Sequence, residues 1–531
     1  MTNRKNCIIW LLLFWISIPI AEAAIIENIA VANAKAIALG NAVTADPPGI
    51  DSIHFNPAGL ALLDGRQRQL KVLAGAFDFT VEFGGHEPAT QAVIDRFGYV
   101  DEASNATSKN SAIGSKLPGK KGVNEWPLPV IFIPFGGVSI KAPGSRMTFA
   151  TAVYTPMASG YIRDEDDPGR FLGQEMAMTR LTYLSPSLGY QMTESLFIGA
   201  SIGMSWQGLG VLNQFRIPNV LVVGIDQMIK GLTGQGICSP DNEACGIEIG
   251  PYTELFQLSL DTQDNFVPSI NVGLLWKPTP WFTWGLTYQA ESVAQTKGDF
   301  EIIYRDEWVS FFSGLQGSEA GQALNAVTSL PSGRRTESGT INVDLILPSH
   351  LATGVSIQIT PKWKVNLDVK RSEWGSWESL DLEFDQEIDF LKLASLFGGG
   401  GGAETLSLPR GYETVWNWGI GIEYQYNDSL ALRMGYEPRT SSIPPDRQDV
   451  LLPLGDAELF GFGFEYKPSR GQTIDVGLAY LHAEADVPAG TSKNSNSIDQ
   501  RTNIVYNPFA GTDFKSQVNA VLLEFSYHSQ F

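Results

Sequence analysis

Apolar and polar positions alternate with a period of two through most of this chain. Over residues 518–531, Asn519, Val521, Leu523, Phe525, Tyr527 and Phe531 share one parity, and Ala520, Glu524, Ser526, His528 and Gln530 take the other. Trp416, Trp418, Ile420, Ile422 and Tyr424 alternate with Asn417, Gly419, Gly421, Glu423 and Gln425, and Ile474, Val476, Leu478 and Tyr480 alternate with Asp475, Gly477 and Ala479. The same holds for Phe282, Trp284, Leu286 and Tyr288, and for Ile198, Ala200, Ile202, Met204 and Trp206. A period of two gives a strand two unlike faces. Here the second face is small or polar and neither face carries many charges, which suits strands with bulky groups toward lipid and small groups toward a lumen. A soluble sandwich would turn its bulky face inward and its charges outward.

Fourteen strands are predicted, at 66–83, 127–141, 145–160, 176–191, 196–213, 262–277, 281–302, 337–360, 362–384, 412–427, 429–442, 457–467, 472–487 and 517–531. Short turns at 142–144, 192–194, 278–280, Pro361, Asn427 with Asp428, and 468–471 alternate with long loops such as 84–125, 214–261, 303–336 and 385–411. Even strand number, alternating connections and both termini on the short-turn side predict an all-β fold: a 14-stranded antiparallel transmembrane β-barrel with periplasmic turns and extracellular loops. The loops 214–261 and 303–336 are expected to be partly helical. Leu221, Ile225, Met228, Ile229 and Leu232 in one, and Trp308, Phe311, Phe312 and Leu315 in the other, follow helical spacing.

At the amino end, Arg4 and Lys5 precede an apolar run at 7–20 and then Ala21, Glu22 and Ala23, the layout of a secretory signal peptide cleaved after Ala23. Beyond it, no apolar run approaches the roughly 18 residues that a spanning helix needs, so strands must make any crossing. The domain reading is therefore a signal peptide at 1–23, a plug or hatch at 24–63 and the barrel at 64–531. Residues 24–63 are rich in Ala and Gly, hold Pro47, Pro48 and Pro57, and lack sustained alternation, so they are expected to fold into the wide lumen. The terminal Phe531, with Tyr527 before it, resembles the assembly signal read by the barrel-assembly machinery, and the expected location is the outer membrane of a Gram-negative bacterium.

Composition excludes other classes. A formal net charge of -20 argues against nucleic acid as a partner, and 43% hydrophobic with 18% charged residues fits lipid-facing strands better than an acidic enzyme. Cys7 leaves with the signal. Cys238 and Cys245 then close the short loop CSPDNEAC and are expected to form a disulfide in an oxidising compartment, contributing roughly 2 to 3 kcal/mol. No His or further Cys lies near them, and neither metal nor cofactor is expected. An enzyme reading would have to draw on His54, His86, His350, His482 or His528. His482 has lipid-facing parity, and no nucleophile signature such as G-x-S-x-G is present. The acidic runs at 164–167 and 381–389 read as solvated loops or as sites for divalent ions bridging lipopolysaccharide.

Leu39, Gly40, Asn41, Ala42, Ala45, Asp46, and the run Ile53, His54, Phe55, Asn56, Pro57, Ala58, Gly59, Leu60 resemble the amino-terminal hatch of the outer-membrane long-chain fatty-acid transporter family, which also includes aromatic-hydrocarbon channels. Further likeness lies at Leu347 and Pro348, at Gly435 and Tyr436 before Ile443 and Pro444, and at 475–480. The resemblance implies a gating hatch around Asn56, Pro57, Ala58 and Gly59, a hydrophobic capture groove between the two helical loops, an inner pocket, and lateral exit through a kinked third strand. That strand holds Tyr154, Pro156, Ala158 and Gly160. Proline lacks the N–H that a ladder needs, so Pro156 favours a bulge or gap; alternatively it sits above the membrane at the strand end. Arg216, Lys297, Lys370, Arg433 and Arg439 lie in or near strands and are the candidate carboxylate contacts, with a mutually paired lumen network as the alternative for each. The function implied is passive uptake of a hydrophobic molecule, most simply a long-chain fatty acid, by a monomer among outer-membrane lipid and lipopolysaccharide. An aromatic-hydrocarbon or alkane channel, or a structural adhesin or phage-receptor barrel, is the other reading.

Overall fold

A computed structural model describes residues 31, 33–126, 131–216, 250–317, 325–326, 329–396, 402–452, 454–497 and 507–531. Its strands form one closed antiparallel barrel of fourteen staves. They are β1 (Arg66–His86), β2 (Thr107–Lys109, Ala112–Ser115 and Ile131–Ile140), β3 (Met147–Ile162), β4 (Glu175–Leu184 and Ser187–Gln191), β5 (Leu196–Arg216), β6 (Glu254–Thr279), β7 (Phe282–Gln289 and Ser292–Tyr304), β8 (Thr336–Leu347 and His350–Thr360), β9 (Trp363–Ser372 and Ser379–Phe384), β10 (Thr405–Pro409 and Val415–Asn427), β11 (Leu430–Arg439), β12 (Asp456–Tyr466), β13 (Gln472–Val487) and β14 (Thr512–Gln530). β14 pairs with β1 from Gln67 opposite Gln530 up to His86 opposite Thr512, and the Phe531 N–H donates to the Arg66 carbonyl, so the sheet has no free edge at its ends.

The alternation places side chains as the period requires. Val521, Leu523 and Phe525 are exposed on the outside, whereas Leu522, Glu524 and Ser526 are buried inside. Leu70, Val72, Trp416, Trp418, Phe462 and Leu478 continue the same outer band around the barrel. Loop and strand tops build a separate apolar core on the extracellular side, including Phe171, Phe256, Tyr304, Trp308, Phe390 and Phe509.

Two departures from the sequence reading stand out along the staves. β6 starts at Glu254 rather than 262, so the preceding loop is shorter than the span 214–261. A register shift between Asp264 and Val267 switches the inward parity there, from Leu258, Leu260 and Thr262 above to Asn271 and Leu275 below, and a reader following one parity loses the strand at that point. β2 is a composite: its upper pieces pair with β1 at 80–82 and with β3 at 161–162, and Ile131–Ile140 pairs with β1 at 66–75. In β3 the register against β4 shifts between Tyr154 and Met157, at Thr155 and Pro156. The missing N–H of Pro156 thus coincides with a bulge in the wall.

Candidate functional site

Inside the barrel, residues 33–61 are almost wholly buried against the inner wall. Asn33 caps the short helix α1 (Ala34–Ala38) by accepting from the Ala36 N–H at 2.9 Å, and its amide donates to Asp51 at 2.7 Å. A second turn, α2 (Ser52–Phe55), leads into Asn56, whose extended backbone starts a 3-10 turn (Pro57–Leu62). Pro57 suits that first position because its N–H is not needed there. Fully buried Asn56 is a junction: its Nδ2 donates to the carbonyls of Thr44 (2.8 Å) and of Leu274 in β6 (3.2 Å), and its Oδ1 accepts from the Ala58 N–H (3.2 Å). The wall is shaped to receive this backbone. A Cβ on Gly199 would run into the Pro57 carbonyl, and one on Gly435 into Leu39 and Gly40.

Ion pairs fasten the plug. Asp51 accepts from Lys71 (2.8 Å) and Gln69 (2.6 Å) of β1, and the Lys71 ammonium also donates to the Val31 carbonyl at 2.8 Å. Asp46 bridges Lys35 (2.9 Å) and Lys364 (2.7 Å). Burial alone would raise the Asp46 pKa, but the two ammonium groups outweigh it and hold the carboxyl well below its usual range. Further round, Asn41 donates to Glu437 at 2.9 Å, and the Thr44 N–H donates to Asp368 at 2.8 Å.

Just above the plug lies a group with different chemistry. Arg180 of β4 is fully buried on the inward face, in register with Met157 of β3 and Gln207 of β5. Its Nη2 donates to the Ser292 hydroxyl at 2.8 Å, while among the described residues Nε and Nη1 have no partner, and neither amide atom of fully buried Gln207 has one. Buried Met157, Met178, Leu209 and Val267 belong to the surrounding apolar cluster. A guanidinium and an amide, side by side with open hydrogen-bonding capacity in apolar surroundings, match one small anionic head joined to an apolar body. The site adjoins both moving-part candidates. Met157 ends the β3 bulge, and Tyr154 at its start packs against the plug residue His54 with ring centroids 5.4 Å apart.

The predicted carboxylate contacts fall elsewhere. Lys297 faces outward and is exposed, because β7 turns Thr296, Phe300 and Ile302 inward; its proposed role in the lumen is corrected on that ground. Arg433 meets Glu423 (2.7 Å), Glu465 (2.9 Å) and Asp475, and Lys370 meets Glu437 (2.7 Å), so both are lumen residues already paired. Arg439 is buried 3.8 Å from Glu437. Arg216 is buried above the lumen, bound to Asp101 at 2.6 Å and to the Pro508 carbonyl, with His86 on the other oxygen of Asp101 at 3.0 Å. Burial would raise the Asp101 pKa, but the hydrogen bond from His86 and the Arg216 charge keep it lowered.

Of the capture groove, Trp308 and Phe312 on the helix Asp306–Gly317 are buried, Trp308 stacking on Tyr304 at 4.9 Å, while Phe311 and Leu315 are half-buried beside them. Two of its four aromatic and aliphatic positions are therefore core rather than open surface, since the strand tops offer them an apolar partner. Leu221, Ile225, Met228, Ile229, Leu232, Cys238 and Cys245 lie outside the described residues, as does the signal segment. On the third strand Tyr154 faces inward; Gly160 faces outward and, like Ala158, lies above the bulge. Tyr527 is half-buried near the barrel end, and Phe531 is exposed with Arg68 over its ring. Arg180 escaped the sequence reading because Met176, Ala177, Met178 and Leu181 leave both faces of β4 apolar. The available signal was a lone charge in the stretch 176–191.

Comparison with known proteins agrees with this architecture. Over residues 12–531 the chain matches the family described as outer membrane protein transport protein (OMPP1/FadL/TodX). It is 22% identical over 209 residues to the long-chain fatty acid transport protein of Escherichia coli K12, and 21% identical over 214 residues to that of E. coli O6:H1. These alignments cover 38% and 40% of this chain and 43% and 42% of those proteins, so the chain spans less than half the length of the curated relatives it matches. Among solved structures, a Pseudomonas aeruginosa FadL homologue superposes with a TM-score of 0.65 at 15% identity, over 96% of this chain and 100% of that one. The Pseudomonas putida toluene transporter TodX gives 0.58 at 17% identity, over 96% and 100%. With a barrel banded for lipid and a plug seated in its lumen, the chain is an outer-membrane protein and belongs to the OMPP1/FadL/TodX transport family.

Proposed function

We propose that this barrel takes up a hydrophobic molecule bearing a carboxylate, a long-chain fatty acid in the simplest case, passively and without covalent chemistry. The observation that carries this reading is the open hydrogen-bonding capacity of Arg180 and Gln207 beside the apolar cluster of Met157, Met178, Leu209 and Val267. Leaving a guanidinium buried with two idle donors is costly, and a carboxylate offsets that cost while its chain contributes about 0.8 kcal/mol per buried methylene. The toluene transporter that shares the fold acts on a molecule with no charged head. A pure hydrocarbon would leave the guanidinium idle.

Release is then the harder step. The plug supports a route: His54 packs on Tyr154 at the inner edge of the β3 bulge, so a local shift around Asn56, Pro57, Ala58 and Gly59 uncovers the wall beside Thr155 and Pro156 and lets the ligand pass sideways into lipid. Capture by apolar residues of the two long loops, neighbouring lipopolysaccharide, assembly by the barrel machinery and a monomeric state complete the reading.

Native mass spectrometry of the purified protein with a panel of fatty acids, alkanes and monoaromatics tests it. Retention of fatty acids that Arg180→Met abolishes is the expected result. Preferential retention of hydrocarbons would move the protein to the aromatic or alkane channels, and retention of nothing would favour an adhesin or receptor barrel.

A further inference from the structure

One part of the outer wall is dressed for contact with protein rather than lipid. Gly160 of β3 pairs with Ala177 of β4, Ala177 with Gly210 of β5, Gly210 with Asp261 of β6, and Asp261 with Asp299 of β7. All five lie on the outward face, opposite in parity to the inward Met178, Leu209, Leu260 and Phe300. Three small residues followed by two carboxylates at one level are an odd outer surface for a barrel, which elsewhere shows bulky apolar groups.

The occupant of this track is the chain's own hairpin. Between the upper and lower pieces of β2, residues 114–126 leave the wall: Gly114 and Ser115 pair with Glu125 and Asn124, and the Trp126 N–H returns to the Ile113 carbonyl at 3.0 Å. The Gly114 carbonyl lies where a Cβ on Gly160 would stand, and a Cβ on Gly210 would come within 3.1 Å of the Gly122 backbone. The Lys116 ammonium sits 2.8 Å from Asp261, the Gly122 N–H donates to the same carboxylate, and Lys121 reaches Asp299 at 3.1 Å. Lys116 is fully buried, and outward-pointing Trp206 is only 4% exposed, near the Lys116 stem over Gly208.

We propose that this hairpin is an external clasp whose docking on the Gly160, Ala177, Gly210, Asp261 and Asp299 row controls whether the β1 to β3 wall can spread beside the bulge. It rests on the lateral-release reading above. The geometry favours a releasable part: the hairpin adds only two residue pairs of its own, packs Lys116 and Val123 over Gly208 and Gly210, and is anchored by the Gly122 N–H to Asp261 bond and two ion pairs, of which Lys121 with Asp299 is exposed to solvent. The hairpin grows directly from Ala112 and Ile113, which pair with β3 at 161–162, so its position bears on how closely β2 holds β3.

The test locks the clasp with Val123→Cys and Gly210→Cys in one chain, since a Val123 methyl lies 3.3 Å from where a Cβ on Gly210 would stand, and follows uptake of labelled oleate by cells, the parent serving as control for the native cysteines. The locked, oxidised protein should lose uptake and regain it on reduction, while still binding oleate in detergent. Uptake equal to the parent's, with the cross-link verified by mass, overturns the clasp. A parent that neither binds nor takes up oleate sinks the transport reading and the clasp with it. If the double variant does not assemble, Lys116→Met carries the test: uptake above the parent's level supports the clasp, and uptake at the parent's level overturns it.

Discussion

The plug seat and the Arg180 site lie a few residues apart along the same lumen, and both bury cations. In the seat, Lys71 faces Asp51, Lys364 faces Asp46 and Glu423, and Arg433 faces three carboxylates. At Arg180 two of the three guanidinium nitrogens have no partner among the described residues. Lys71, Arg433 and Arg180 are alike buried, so unequal satisfaction separates charges that hold structure from one left open. Glu524 of β14 complicates the contrast, since both its oxygens are buried without a partner among the described residues although it lies on the seat side.

Variants can break this contrast. The largest effect is expected at the seat: Lys71→Met leaves Asp51 with neutral donors only, a loss of about 3 to 5 kcal/mol for half of a buried pair. Hydrogen exchange of residues 33–61 should rise while the barrel strands stay protected, and unchanged exchange would show that the plug does not depend on the pair. Next comes Arg180→Met, which should weaken oleate binding by about 1.5 to 3 kcal/mol and leave alkane binding intact. Equal weakening of both ligands would reduce Arg180 to packing. Asn56→Ala should cost about 1 to 3 kcal/mol of plug stability by stranding the Thr44 and Leu274 carbonyls, with uptake altered and the heat-modifiable mobility of the barrel retained. Unaltered uptake there removes Asn56 from the gate.

The smallest effect is in pH. Asp101 is held below its usual pKa by His86 and Arg216 despite burial, so its contribution to extracellular loop packing is complete above the ordinary carboxylate range and disappears as pH falls through the lowered value. Limited proteolysis of the loops should therefore accelerate only in strong acid, and Asp101→Asn should remove that dependence.

What could be read from the sequence follows the same division. Strand number and lipid-facing positions were legible because lipid demands bulky apolar groups at every second residue over many staves, as at Val521, Leu523 and Phe525. The shift near Asp264 and the composite β2 were not, since a bulge costs one residue and resets the parity without changing composition. Basic residues were judged one strand at a time, which locates Lys370 and Arg433 in the lumen but cannot show the carboxylates that neutralise them from neighbouring staves. Arg180 needed that same cross-strand knowledge in reverse.

The way the plug is wired also bears on the order of events during assembly. Asn41 bonds to Glu437, 396 residues later, and the Thr44 N–H bonds to Asp368, 324 residues later. Contacts this distant in sequence pay a large entropic toll before they return anything, so they form late. The segment that comes early in the chain cannot recognise its seat until β9, β10 and β11 stand side by side, which makes the plug a report that the barrel around it has been built in the right register.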